Sequence, residues 1–358
     1  MIFYLFFFIL IVFLLQVDKM GLIKRVNLKL IAFIIIFLFC ALRFDVGYDY
    51  MYYQNLITKN IDFYEEMFNR MEFFNRGLIS ISQAINFPQF YFIVTSFIII
   101  FLIYDVLKRE SHDFLISTLI FLSFPIFFLS SLSIIRQYVA ITIIFYSYRF
   151  IKSKKIIQFL TCVFLAFLFH KSAIIAVVLY WLYDRHINSI YYIVLYFVGL
   201  FSSQFAIILV GFFFPEYVTY LERALGTGGD KLLILFQILG FFMLFFINRK
   251  KKNNTNYNFY MATFFLGLFI WSSLASYGHA GFRGSLYFII FFVLLFPELL
   301  TIIKQKKIIE YLMYLICFVF FVFSLWLGMK NTTKDPNIPY RVYFISDITT
   351  FKKDIKFE

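Results

Sequence analysis

Five short stretches of this sequence hold ionisable residues set apart from all others. Arg43, Asp45 and Asp49 fall within Arg43-Phe-Asp-Val-Gly-Tyr-Asp-Tyr50, and Arg76 falls within Phe73-Phe-Asn-Arg-Gly77. Arg136 interrupts an almost unbroken apolar stretch from Phe114 to Phe150, and His170 and Lys171 interrupt another. His279 and Arg283 lie in Tyr277-Gly-His-Ala-Gly-Phe-Arg-Gly284. An arginine flanked by apolar spans costs roughly 2.5–3.5 kcal/mol to insert. It persists where an anion pairs with it or where it lines a wet cavity. Several arginines on one face suit a phosphate or pyrophosphate group, because guanidinium is a planar fork of donors that stays charged. An Asp or His among them supplies a general base, and Tyr and Trp supply stacking surfaces for sugars. The glycines beside Arg283 would let a ligand approach the backbone closely. Such a set fits a lipid-linked glycan pyrophosphate held in a cavity that opens to the membrane.

Each residue also has a plainer reading. Arg136 can cap a helix in a hairpin or snorkel to the surface. His170–Lys171 can be an interfacial turn with a satisfied imidazole, and Asp49 can be only the cap of a surface helix. Cys40, Cys162 and Cys317 all lie in apolar runs without Cys/His spacing, so neither a disulfide framework nor a zinc site is indicated. The sequence offers no acidic metal cluster.

The elements that must position these groups follow from composition. The 358 residues are 62% hydrophobic and 15% charged, whereas a soluble domain uses about half apolar residues. The apolar runs are of the length that crosses a bilayer core of about 30 Å. We expect an all-α, polytopic transmembrane protein, one membrane-embedded unit over 1–358. Twelve spans are predicted near 2–17, 28–42, 89–107, 114–132, 134–151, 156–169, 172–183, 190–214, 232–248, 258–276, 284–303 and 309–328. The first lacks the basic start and the cleavage site of a signal peptide and is expected to be retained. The sixth and seventh are short, either two half-helices or one bent hairpin. The 56 Phe and 26 Tyr are read as lipid-facing and interfacial residues.

Alternating the connecting segments across the bilayer gathers 18 of the 33 Lys and Arg into short loops on one side, around Lys19–Lys29, Lys108, Arg149–Lys155, Arg185, Arg249–Lys252 and Lys304–Lys307. The positive-inside rule makes that side cytoplasmic. Both termini and three larger pieces, 43–88, 215–231 and 329–358, are then outside. The 215–231 piece ends in a flexible Gly226–Gly229 turn. Within 43–88, Tyr50–Ile57 and Phe68–Ile85 are predicted helical. Phe73, Leu78, Ile81 and Ile85 recur near helical spacing, so this segment can lie on the membrane surface. Every isolated ionisable group named above falls on the outer side. The basic excess is topological, so nucleic acid is not implied as a partner.

Six motifs run in order along the chain. They are Arg43-x-x-x-Gly47-Tyr-Asp49-Tyr50-x-x-Tyr53, Phe74-Asn-Arg-Gly77-Leu, Ile135-Arg136-Gln137-x-x-Ala140, Ala166-x-x-x-His170-x-Ser172-Ala-Ile, Phe282-Arg283-x-x-x-Tyr287-Phe288 and Pro339-Tyr340-Arg341. Together they resemble the EpsG family of Wzy-like bacterial polysaccharide polymerases. One departure is visible: the family often has an acidic residue before the glycine of the second motif, where this chain has Asn75-Arg76-Gly77, with Glu72 nearby.

The resemblance implies a GT-C-like membrane glycosyltransferase at the periplasmic face of the bacterial inner membrane. It would join undecaprenyl-pyrophosphate-linked oligosaccharide repeat units into O-antigen, capsule or exopolysaccharide, without a nucleotide sugar or a metal. Chain length would be set with a separate co-polymerase. On this reading Arg136 and Arg283, helped by Arg43 and Lys171, hold the pyrophosphate. Asp49 or His170 deprotonates the acceptor hydroxyl. Tyr50, Tyr53 and Tyr340 bind sugars, and Arg76, Gln137 and Arg341 complete the substrate site. Two other classes compete: a flippase for the same lipid-linked units, and an outer-face transferase that decorates a finished glycan. A flippase needs charges reachable from both faces, whereas these arginines favour one.

Overall fold

The computed structural model describes residues 1–59, 64–213, 215–223, 230–247, 254–301, 306–330 and 337–345. Within them the chain is all α-helical, with no β-strand and one isolated bridge, between Arg43 and Val342. The Gly226–Gly229 turn, the basic cluster 249–252, Lys304 and the end of the tail lie outside the described residues.

The chain enters through α1 (Ile2–Met20) and α2 (Leu28–Ala41). Gly21, at φ 68°, ends α1, and the Asn27 side chain accepts from the Leu30 amide to start α2. Three short helices follow, α3 (Tyr50–Thr58), α4 (Tyr64–Asn69) and α5 (Phe73–Ala84). The expected single helix over Phe68–Ile85 is therefore two, because the chain turns at Arg70–Glu72. Next come α6 (Gln89–Glu110), α7 (Phe114–Ser123), α8 (Phe128–Ser133), α9 (Ile135–Lys152) and α10 (Ile156–Phe169). The apolar run 114–132 is broken between α7 and α8 around Pro125, which has no amide proton to continue a helix.

After α10 the chain tightens into a 3-10 segment, Lys171–Val178, and a single turn α11 (Leu179–Leu182). Helices α12 (Ser189–Phe201) and α13 (Ser203–Phe213) meet at an 81° bend. The Ser202 hydroxyl at that bend lies 2.7 Å from the Ser273 hydroxyl. The remaining helices are α14 (Pro215–Arg223), α15 (Asp230–Phe242), α16 (Thr255–Ser273), α17 (His279–Ile289), α18 (Phe292–Leu300) and α19 (Lys306–Lys330). A 48° bend separates α17 from α18.

Within the described residues each of the twelve predicted apolar runs is helical, the seventh mainly as the 3-10 stretch Lys171–Val178. By length and composition three helices can cross a membrane alone, α1, α6 and α19, or up to five if each bent pair counts as one span. The others are shorter, or carry polar residues inside. A helix apolar all round must face either a protein core or lipid. Helices α7 and α18 take the core: every residue of Leu115–Ser123 is buried, as is all of α18 except Phe296. Helices α1, α12, α13 and α19 expose Phe, Ile and Leu outward.

Side-chain ion pairs sort the helix ends. Lys19 binds Asp113 and Glu310, Lys152 binds Glu110, Lys154 binds Asp184, and His112 binds Glu298. These residues lie in the segments that alternation assigns to the basic side or at the span ends beside them. At the opposite end Arg136 binds Glu72 and Arg341 binds Asp45. The protein has a basic end laced by ion pairs and a second end where the isolated arginines collect.

Candidate active site

Four elements meet at that second end: the 43–49 loop with α3, the start of α9, the break after α10, and the start of α17. The loop seats on the break between α8 and α9. Gly47 has φ 96°, and a Cβ there would stand 2.0 Å from the Leu132 carbonyl oxygen. The Tyr48 amide donates to the Ser133 hydroxyl at 3.2 Å. This close approach puts Asp49 next to the first turn of α9, which carries Arg136 and Gln137.

Arg136 is held in two directions. Its Nε donates to the Tyr53 hydroxyl at 2.8 Å, and its Nη1 donates to Glu72 Oε2 at 2.8 Å. The other carboxylate oxygen of Glu72 accepts from the Lys171 amide at 3.4 Å. Glu72 therefore ties the start of α5 to both α9 and the break after α10. Among the described residues Nη2 of Arg136 has no hydrogen-bond partner. The Tyr53 ring is fixed in turn by stacking on Tyr91, with centroids 4.7 Å apart.

Arg283 reaches the cluster from α17. Its Nε donates to Gln137 Oε1 at 3.0 Å, while Gln137 Nε2 donates to the Arg283 carbonyl at 2.9 Å. Both Arg283 and Arg136 act electrostatically on Asp49 and on His170. Asp49 heads α3 but spends no side-chain bond on capping it. Among the described residues its carboxylate makes no hydrogen bond or ion pair. Burial raises its pKa above the ordinary carboxylate range, and the two guanidiniums oppose that shift. His170 lies between the end of α10 and the 3-10 segment, 6% exposed. Burial first, and then Arg136 and Arg283, hold its pKa below the usual imidazole value. Its Nδ1 lies 2.7 Å from the Ser172 hydroxyl, which lies 3.0 Å from the Tyr287 hydroxyl. The Tyr217 ring of α14 meets the imidazole edge-on, with centroids 6.4 Å apart.

The structure brings Asp49, Tyr53, Arg136, Gln137, His170, the Lys171 backbone and Arg283 together. Other predicted site residues point elsewhere. Arg43 is 1% exposed, and its guanidinium donates to the carbonyls of Cys40 and Val46 and to the Ser96 hydroxyl. It terminates α2 and anchors the following loop. Tyr50 stacks on Phe92 at 4.1 Å and donates to Gln89 Oε1 at 2.8 Å, fully enclosed. Tyr340 donates to the Phe39 carbonyl and stacks on Phe3, and Arg341 pairs with Asp45 at 3.0 Å. These residues knit the tail to the loop: Phe44 N–H donates to the Arg341 carbonyl and Tyr343 N–H to the Leu42 carbonyl, each at 2.9 Å.

Arg76 is half-buried and makes no side-chain hydrogen bond or ion pair among the described residues. Its neighbour Asn75 is fully buried and bridges the Phe169 carbonyl and the Tyr91 hydroxyl. The glycines beside Arg283 pack toward α16 and Leu274. A Cβ on Gly281 would stand 2.6 Å from the Leu274 carbonyl oxygen, and Gly284 faces Ile270 of α16. Three residues of the cluster were not predicted as site residues: Glu72, Ser172 and Tyr287. Ser172 and Tyr287 stand in the ordered motifs, and Glu72 lies three residues before Asn75.

Chemically, the cluster offers two fixed guanidiniums, a carboxylate unpaired among the described residues and a neutral imidazole. That set can bind an anionic group and accept a proton beside it. The sequence profile of the EpsG family matches residues 26–342. No curated protein and no solved structure matches the chain.

Proposed function

Because this chain belongs to the EpsG family, whose members are Wzy-like polysaccharide-polymerase-type membrane proteins, we propose that it polymerises lipid-linked oligosaccharide repeat units in bacterial polysaccharide biosynthesis. The observation that carries this reading is the Asp49 carboxylate, which among the described residues has no hydrogen-bond or ion-pair partner and lies within reach of the charges of two held arginines. A general base must be free to take a proton, and a departing pyrophosphate needs fixed positive charge. Asp49 takes the proton of an acceptor sugar hydroxyl. That oxygen bonds to the anomeric carbon of the donor glycan as the carbon–oxygen bond to pyrophosphate breaks. The electron pair leaves on the phosphate oxygen, facing Arg136 and Arg283. Lys171 adds positive charge, and Tyr53 and Tyr52 border the acceptor side.

All twelve helical units cross the inner membrane in this reading, with the ion-paired basic end in the cytoplasm and the arginine end in the periplasm. The donor and acceptor are carried on undecaprenyl pyrophosphate, and the polar cluster opens toward the membrane. Helix α5, with Phe73, Ile81 and Ile85 exposed, rests on the membrane surface. A separate co-polymerase sets chain length.

The test is a strain deleted for this gene and complemented with Asp49→Asn at matched protein level. The expected surface glycan is capped at a single repeat unit. A normal ladder of chain lengths would remove Asp49 from the mechanism. Loss of every displayed unit in the deletion strain would favour a flippase. Normal length lacking one substituent would favour a decorating transferase.

A further inference from the structure

The hydrogen-bond chain His170–Ser172–Tyr287 fixes more than the position of a ring. The Ser172 Oγ stands 2.7 Å from His170 Nδ1 and 3.0 Å from the Tyr287 hydroxyl. Tyr287 is 0% exposed and His170 6%. Neither residue, nor Ser172, has another side-chain hydrogen-bond partner among the described residues. Three protons are to be placed: one on each hydroxyl and one on the neutral imidazole. A second ring proton is disfavoured by burial and by the guanidiniums of Arg136 and Arg283.

Only three arrangements satisfy both short contacts. In the first, Nδ1–H donates to Ser172 and Ser172 donates to Tyr287. The buried tyrosine proton then has no acceptor. In the second, Nδ1–H and Tyr287 both donate to Ser172, and the serine proton has no acceptor. In the third, Tyr287 donates to Ser172 and Ser172 donates to Nδ1. Every hydroxyl proton is then used. Each arrangement leaves one proton unpaired, but the first two also leave the unprotonated Nε2 without a donor, whereas the third leaves only the Nε2 proton open, so the third arrangement wins. Nδ1 is then the acceptor, and the ring proton sits on Nε2, the nitrogen without a partner among the described residues.

We propose that Ser172 and Tyr287 are positioning residues that lock His170 as its Nε2–H tautomer, making it a neutral hydrogen-bond donor to the departing phosphate oxygen and not the general base. For the identity of the anion this rests on the polymerase reading; the tautomer itself does not. The role suits a crowded cationic site. A neutral N–H adds a directed bond to developing negative charge without a third positive charge that would repel the two guanidiniums. It also leaves Asp49 as the one group of the cluster able to take the acceptor proton.

The experiment has two arms. In the first, the full chain is labelled with ¹⁵N at the imidazole nitrogens and purified in lipid nanodiscs. The chain has four histidines, and His170 is assigned by its absence from the His170→Gln spectrum. The expected spectrum has an unprotonated Nδ1 and a protonated Nε2. A Nδ1–H tautomer, or a doubly protonated ring at neutral pH, overturns the proposal. Replacing Ser172 by Ala together with Tyr287 by Phe leaves no orphaned hydroxyl, so the fold is kept, and the His170 signal should become a mixture of tautomers. A signal that stays wholly Nε2–H in this double variant overturns the positioning role.

In the second arm, transfer is measured for His170→Ala and His170→Gln. Loss of one such donor lowers turnover about 10²-fold, and Gln, which can place an N–H near the imidazole Nε2 position, should recover at least half of that loss on a logarithmic scale. Equal loss in both variants makes His170 the base and overturns the proposal. If glycan chain length proves independent of this protein, the function fails while the first arm still stands or falls by itself.

Discussion

Arg283 and Gln137, 146 residues apart in sequence, hold each other through both backbone and side chain. The Arg283 Nε donates to the Gln137 amide oxygen, and the Gln137 amide nitrogen donates back to the Arg283 carbonyl. One glutamine thus fixes the start of α17 against the first turn of α9. The charge of Arg283 held in this way is felt at Asp49 and His170.

Gln137→Leu should therefore misplace Arg283 without removing it. Hydrogen bonds to charged groups contribute about 1.5–3 kcal/mol, so turnover should fall by roughly 10- to 100-fold. Arg283→Lys should fare no better, because an ammonium cannot bond Gln137 through Nε while presenting a fork. Chain-length profiles and transfer rates at matched protein levels check both. Unchanged rates in Gln137→Leu would show that α17 is held without it.

Asp49 links pH dependence to stability with a definite sign. Its folded pKa is raised, by burial first and against the pull of Arg136 and Arg283. Tyr52, Tyr53 and Tyr91 are other titratable groups that its charge reaches. Turnover needs the carboxylate, so the acid limb of the rate profile should lie above the ordinary carboxylate range. The raised pKa also means that the ionised form disfavours the fold. The stability contributed by protonated Asp49 is full below its unfolded pKa and lost as pH rises through the folded one. Asp49→Asn should then lose turnover while melting at or above the wild-type temperature at neutral pH. A melting temperature that falls in this variant would contradict the raised pKa.

The arginines of the cluster were legible because a lone charge in an apolar run is costly and has to be compensated. That argument found Arg136, His170 and Arg283. It could not tell direction. Arg43 follows an apolar helix just as Arg136 interrupts one, yet its guanidinium folds back onto the carbonyls of its own loop. Tyr50 and Tyr340 carry the right chemistry for sugars but are used in packing, because a residue type does not reveal which side of a helix is enclosed. Glu72 stood out only as the acid beside the second motif, and its partner was hard to see for another reason. Its bond to Arg136 spans 64 residues, and nothing local points to that arginine. Helix positions were readable from hydropathy, whereas the bends at Ser202 and between α17 and α18 depend on tertiary contacts such as Ser202 with Ser273.

Removing Arg136 should have two separable effects. The partner Glu72 side chain is 8% exposed, and a buried carboxylate that loses its ion-pair partner costs about 3–5 kcal/mol. Arg136→Ala alone should accumulate poorly and fail in transfer. Arg136→Ala with Glu72→Gln should recover protein level, because no buried charge is stranded, yet remain inactive. Thermal melts of the four forms in detergent give the coupling energy directly. Recovery of chain elongation in the double variant would mean that Arg136 serves only to neutralise Glu72.

Two glycines in the same segment, 43–88, should respond to alanine with opposite signs. Gly47 has φ 96°, where an L-residue is strained by about 1–2 kcal/mol. Its Cβ would also press into the Leu132 carbonyl, a backbone atom that cannot rotate away. Gly47→Ala should lift the loop off the α8–α9 break and carry Asp49 out of reach of Arg136. Gly77 lies in the interior of α5, and a Cβ there meets nothing within 4 Å. Gly77→Ala should stabilise α5 by about 0.5–1 kcal/mol, through the backbone entropy that glycine loses on folding. Melting temperatures in detergent read both signs, and protease sensitivity of the 43–49 loop reads the first locally. A Gly47→Ala protein with native melting and an intact loop would show that Asp49 reaches the arginines by another path.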